Sequence, residues 1–153
     1  MTKRHALLSG AVGAASLNFL HETVRHVLPH APRVDVLGMR AIAMSMQAVG
    51  ETPPSRNTLY WLAMAGDLVS NSLYYSLAGV GNRKHIWRRG IVLGAAAGLG
   101  AIVLPRPMGL GSQPGQRTPF TQILTFMWYF IGGLVAAATA QALAASDDEE
   151  MDG

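Results

Sequence analysis

The stretch LNFLHETVRHVLPHAPRVD, residues 17–35, decides the fold. It continues an apolar run that begins at Ala6, yet it carries Asn18, His21, Glu22, Arg25 and His26 before Pro29. A helix over 6–28 would be about 34 Å long, enough to cross the hydrocarbon with a small tilt. Pro29 has no amide N–H and a ring that blocks helix, so the helix should stop there. The spacing predicts a membrane-spanning helix with a polar far end. Asn18 and Glu22, His21 and Arg25, and Glu22 and His26 are each four apart, which stacks them on neighbouring turns.

On the N-terminal side, residues 1–5 form a basic leader with Lys3 and Arg4. Gly13, Ala14 and Ala15 give this region the outline of a signal peptide, but the apolar part before them is short, so a continuous helix fits better. On the C-terminal side, Pro32 keeps its predecessor extended. Asp35 then suits the N-cap of a helix over 36–50. That segment is too short to span, and Arg40, Gln47 and Glu51 share a face, as an interfacial or re-entrant helix over the bundle would require.

A second span is expected over 58–80, capped by Ser55 or Asn57, with Tyr60 and Trp61 in the interface belt. Asp67, Ser70, Asn71 and Tyr74 line one of its faces. A basic turn with Trp87 leads to a third span over 87–104, where Gly90, Gly94 and Gly98 permit close helix approach. Thr118 and Pro119, a cap followed by proline at the first helical position, open a fourth span over 119–145. Trp61, Trp87 and Trp128 are expected to be interface anchors. Gly132 and Gly133 mark a second close contact, and the acidic tail, 146–153, is expected to be disordered or solvated. The fold class is thus all-α: a single domain, a four-transmembrane-helix bundle plus one short helix.

The totals agree. Half of the 153 residues are hydrophobic and 14% are charged, where a soluble domain carries about 25%. The absence of cysteine excludes disulfides, thiolate metal sites and thiol nucleophiles. The basic residues flank apolar runs, so lipid headgroups, not nucleic acid, are the expected partner. Lys3, Arg4, Arg83, Lys84, Arg88 and Arg89 crowd two short segments, which puts both termini in the cytoplasm of a cell, most simply at a prokaryotic inner membrane.

A carboxylate in hydrocarbon must pair, protonate or find water, and is by default a functional group. Asp67 is expected to pair with Arg25 or His21, and Glu22 with Arg25 or His26. The expected ligand-binding set is Asn18, His21, Glu22, Arg25, His26, Asp67, Ser70, Asn71 and Tyr74. The bland alternative is a satisfied polar network that only fixes helix register. His21, Glu22, His26 and Asp67 are metal-ligating types, but the two histidines of HETVRH lie five apart, about 140° round a helix, and do not converge. No metal, cofactor or catalytic residue is therefore assigned. The expected function is binding or translocation of a small polar solute, proton or lipid headgroup in an intramembrane cavity opening to the outer leaflet. The alternatives are an accessory subunit of a larger membrane complex, or a membrane enzyme acting on a lipid-like substrate. A homodimer or larger complex is expected to form through the glycine faces.

Overall fold

The computed structural model describes residues 2–28, 31–111 and 118–152. Among them the chain is all-helical, with five α-helices and no strand. Helix α1 (Lys3–Val27) starts where the Thr2 hydroxyl accepts the His5 amide. Its buried residues Ala6, Ser9, Gly10, Gly13, Ala14, Leu17 and His21 recur every three or four positions, which is one face of a helix. His21 is the polar end of that buried face. Pro29, the expected helix stop, and His30 lie outside the described residues.

Helix α2 (Val34–Ala48) begins one residue before Asp35, so the expected cap is corrected. Arg33 holds the cap position and makes no side-chain cap bond, while Asp35 sits in the first turn and turns inward. The helix ends in a Schellman motif, with Gly50 at φ 83° and amides of Gly50 and Glu51 donating to the carbonyls of Gln47 and Met46. Helix α3 (Arg56–Ser76) starts at Ser55, whose hydroxyl accepts the Thr58 amide, and passes into a single 3-10 turn, Leu77–Gly79. Helix α4 (Ile86–Val103) follows another 3-10 turn, and α5 (Pro119–Asp152) opens with the Thr118 hydroxyl accepting the Thr121 amide. The backbone of α5 stays helical through the acidic segment expected as a disordered tail. Between Gly133 and residue 153 no proline or glycine interrupts it.

Helix α5 packs between α1 and α4, and α1 packs between α5 and α3. Helices α3 and α4 therefore stand at the two ends of the row and touch each other little. Glycines permit the tight pairs. A Cβ at Gly10 would collide with the Ser72 carbonyl oxygen, and one at Gly13 would lie 2.6 Å from the Gly132 oxygen. A Cβ at Gly90 would stand 2.6 Å from the Gly133 oxygen, and one at Gly98 2.9 Å from the Phe126 oxygen. The Gly90, Gly94 and Gly98 face, expected to dock a second protein, is buried against α5 of the same chain, as is Gly133. These glycines make their close contacts within the chain. Tyr75, fully buried, donates its hydroxyl to the Tyr129 carbonyl at 2.7 Å, and Tyr74 donates to the Leu93 carbonyl at 3.0 Å.

By length and apolar composition two helical segments suffice to cross a membrane, Arg83–Val103 and Pro119–Ser146. The four-span expectation is not met on that criterion. The polar residues of α1 (His21, Glu22, Arg25, His26) and of α3 (Asp67, Ser70, Asn71) lower the hydropathy of those two helices.

Candidate functional site

Helices α1 and α3 run antiparallel with their polar faces together. Their register decides which residues meet. The Asp67 carboxylate faces the side-chain amides of Asn71 of its own helix and Asn18 of α1. Seven residues on from Asn18 is Arg25, and seven back from Asp67 is Tyr60, each about 10 Å along its helix. Arg25 and Tyr60 do meet: Arg25 Nη2 donates to the Tyr60 oxygen at 3.3 Å, and its guanidinium lies 5.6 Å from the ring centre. Tyr60 donates to Glu22 Oε1 at 3.2 Å, and Arg25 Nη2 donates to Glu22 Oε2 at 2.6 Å. The expected Glu22–Arg25 pair is thus present. The expected pairing of Asp67 with Arg25 or His21 is corrected, because Arg25 lies two turns too far along α1 and His21 pairs elsewhere.

That other partner is Asp35. Its side chain is fully buried. Arg33 forks onto it, Nε to Oδ1 at 2.9 Å and Nη2 to Oδ2 at 2.7 Å. Arg25 Nη1 lies 3.9 Å from Oδ2, and His21 Nε2 lies 3.9 Å from Oδ1. Burial pushes the Asp35 carboxyl up, but the Arg33 hydrogen bonds and charge, with His21 and Arg25, outweigh it and hold the group below its usual range. Arg33 moves up in turn, chiefly through its hydrogen bond to Asp35. Fork geometry and ionised partners make this the strongest polar contact in the cluster.

The sign of the acid response follows. A carboxyl whose folded pKa is depressed adds stability that is complete above its unfolded pKa and is lost as pH falls through the folded value. For Asp35 that loss begins below its ordinary 3.8. Thermal unfolding followed from pH 6 to pH 2.5 should show a melting temperature that drops below about pH 4. Asp35→Asn should melt lower at neutral pH and lose its own share of that drop. Parallel acid profiles for the two proteins would contradict the assignment.

His21 is 5% exposed. Its ring packs on Trp128 with centres 5.3 Å apart, and the Pro32 carbonyl faces it. Nε2 is left buried without a hydrogen-bond partner. Trp128, expected at the membrane interface, is instead 3% exposed in the core, since α5 turns that face toward α1. Trp61 and Trp87 do face outward.

His21, Asp35 and Asp67 line one cavity of about 210 Å³, closed off by residues that include Val34, Met64 and Tyr129. Helix α2 forms one wall, held to α3 where Gly38 meets Ala63 and to the segment after α4 by Arg40, which donates to the Leu110 carbonyl at 2.9 Å. A wider groove of about 600 Å³ lies between α3 and α4 and is lined partly by Ser70, Asn71 and Tyr74.

Of the expected set, Asn18, Asn71 and Asp67 form one group, and His21 shares a cavity with Asp67. Glu22 and Arg25 belong to the Tyr60 group, near the C-terminal end of α1 and the N-terminal end of α3. His26 does not join: it is exposed, and its Nδ1 donates to the Glu22 carbonyl at 2.7 Å. Ser70 donates to the Asp67 carbonyl at 3.2 Å and reaches only the groove. Among the described residues no group of three or more His, Asp or Glu is arranged to hold a metal ion. Sequence reasoning missed Asp35, Arg33, Tyr60, Trp128 and Tyr129. An arginine two residues before an aspartate in an extended link was the available signal for the first pair.

No protein-family model matches the chain, and no curated protein or solved structure matches it.

Proposed function

We propose that the chain is an integral membrane protein whose α1, α3, α4 and α5 all cross the bilayer, with both termini cytoplasmic. In this reading the His21–Asp35–Asp67 cavity binds a small polar or cationic group from the outer side, and α2 lies at that mouth as a re-entrant or interfacial helix. One observation carries it: a bundle with a mostly apolar internal cavity that carries His21, Asp35 and Asp67, and large apolar side chains outside on all four long helices. Leu8 and Phe19 on α1, Val69 and Leu73 on α3, Ile91 and Val92 on α4, and Phe120 and Ile123 on α5 are all exposed. Soluble monomers rarely show apolar patches so extensive, whereas lipid requires them. At 25 and 21 residues, α1 and α3 are about 37 and 31 Å long, enough for a hydrocarbon core of about 30 Å. An accessory-subunit reading has less support, because the glycine faces that would dock a partner are occupied within the chain.

The cysteine-free chain offers a clean test. Met64 lines the cavity, so Met64→Cys should react with a water-soluble methanethiosulfonate reagent added from outside. The cationic trimethylammonioethyl reagent should react about tenfold faster than the anionic sulfonatoethyl one, as expected for a water-accessible site lined by carboxylates. Adding Asp67→Asn should remove most of that preference. Reactivity as low as that of outward-facing Leu68→Cys, with either reagent, would contradict the reading.

A further inference from the structure

The small cavity and the groove between α3 and α4 adjoin: Ala101, Pro105, Leu110 and Tyr129 line both. Their characters differ. The inner end carries His21, Asp35 and Asp67. The outer end is walled by Ala96, Ala97, Gly100, Leu104 and Met108 against Asn71 and Tyr74. Leu104 and Met108 are more than half exposed, so the groove opens sideways, between helices that barely touch. In a membrane that mouth faces acyl chains. The two volumes together fall in the range of small-molecule sites, about 300–1,000 Å³.

We infer that the occupant is a single-chain ammonium amphiphile, its head between Asp67 and His21 and its tail in the groove between α3 and α4. The inference rests on the reading of this cavity as a ligand site in a membrane-spanning bundle. Head chemistry follows from what is unsatisfied. Asp35 already holds Arg33 and faces Arg25. Asp67 faces only the amides of Asn18 and Asn71, and among the described residues no cation pairs with it. His21 Nε2 is buried, lacks a hydrogen-bond partner and lines the same cavity. With the Pro32 carbonyl facing the ring, a neutral imidazole that keeps its proton on Nδ1 presents Nε2 as an acceptor. An ammonium offers three N–H donors and a positive charge, so it satisfies the Asp67 carboxylate and the imidazole at once. An anionic head would meet two carboxylates, and an alcohol has one donor for two acceptors. Tail chemistry follows from the groove wall, where alanines and a glycine on α4 leave a channel along the helix.

The test uses the full chain in phosphatidylcholine nanodiscs, with Trp61→Phe and Trp87→Phe so that Trp128, packed against His21, is the sole tryptophan. Dodecylammonium should change Trp128 fluorescence saturably and bind about tenfold or more tighter than butylammonium, which lacks the tail. It should also bind about tenfold or more tighter than dodecanol, which lacks the charge. Asp67→Asn should reduce dodecylammonium to the level of dodecanol, and Ala96→Phe, filling the groove, to that of butylammonium. Adding phosphatidylethanolamine to the discs should not compete, since the groove takes one chain. Competition by that lipid would overturn the single-chain assignment. Equal binding of dodecylammonium and dodecanol to the unsubstituted site would overturn the ammonium. Equal binding of the long and short amines, both weakened by Asp67→Asn, would overturn the tail groove while the cavity reading stands. No saturable change with any probe, together with a Met64→Cys closed to both thiol reagents, would overturn both.

Discussion

Asp35→Ala is expected to destabilise the folded chain by about 3 kcal/mol, at the lower end of the range for breaking a buried ion pair. The side chain is fully buried, and its removal leaves three groups facing an empty site: Arg33, Arg25 and His21. The cost stays at the lower end because the two arginine side chains are 33% and 22% exposed and can regain some water. Arg25 also keeps Glu22 at 2.6 Å. By the usual scaling for a chain of this size, the melting temperature should fall by ~10 °C. A double-mutant cycle isolates the cause. Arg33→Ala should cost much less in an Asp35→Ala background than alone, since the fork has nothing left to hold. Additive losses would show that the pair is incidental.

Gly133→Ala should be equally severe through a different mechanism. Its Cβ would stand 2.5 Å from the Gly90 oxygen and 2.7 Å from the Gly94 Cα. Both obstacles are backbone, so no side chain can swing away. Helices α4 and α5 must separate along the Gly90, Gly94 and Gly98 seam, at about 3 kcal/mol or more for an overpacked contact. Gly66→Ala is the control. Nothing lies within 4 Å of its Cβ, and it sits inside α3, so alanine there should be neutral or stabilising by up to about 1 kcal/mol. Similar melting temperatures for the two variants would contradict the packing described.

What the sequence made legible was local. The Ser55 and Thr118 caps depend on neighbours within four residues, and each lies where its chemistry requires. The same holds for the polar face of α1. Sequence reasoning failed where a long-range choice decides. Asp35 has the chemistry of a cap, and only the packing against α1 turns it inward as the counter-ion of Arg33, beside His21. The vertical register of α1 on α3 gives Asp67 the amide of Asn18 and gives Arg25 the ring of Tyr60; spacing within one helix cannot specify it. Glycines at every fourth position announce a close helix contact, but not whether the second helix belongs to the same chain. Trp128 illustrates the same limit: a tryptophan in an apolar helix suits an interface or a core, and here the core position beside His21 wins.

The most direct test of the central claim is collision accessibility of spin labels on single cysteines at Phe19, Val69, Ile91 and Ile123, one outward position on each long helix, in lipid bilayers. All four should be reached readily by oxygen, which concentrates in the hydrocarbon, and poorly by a water-soluble nickel chelate. High nickel accessibility at positions 19 and 69, with oxygen favoured only at 91 and 123, would contradict it. In that case α1 and α3 lie outside the bilayer, and the cavity between them and α4 is not a membrane site.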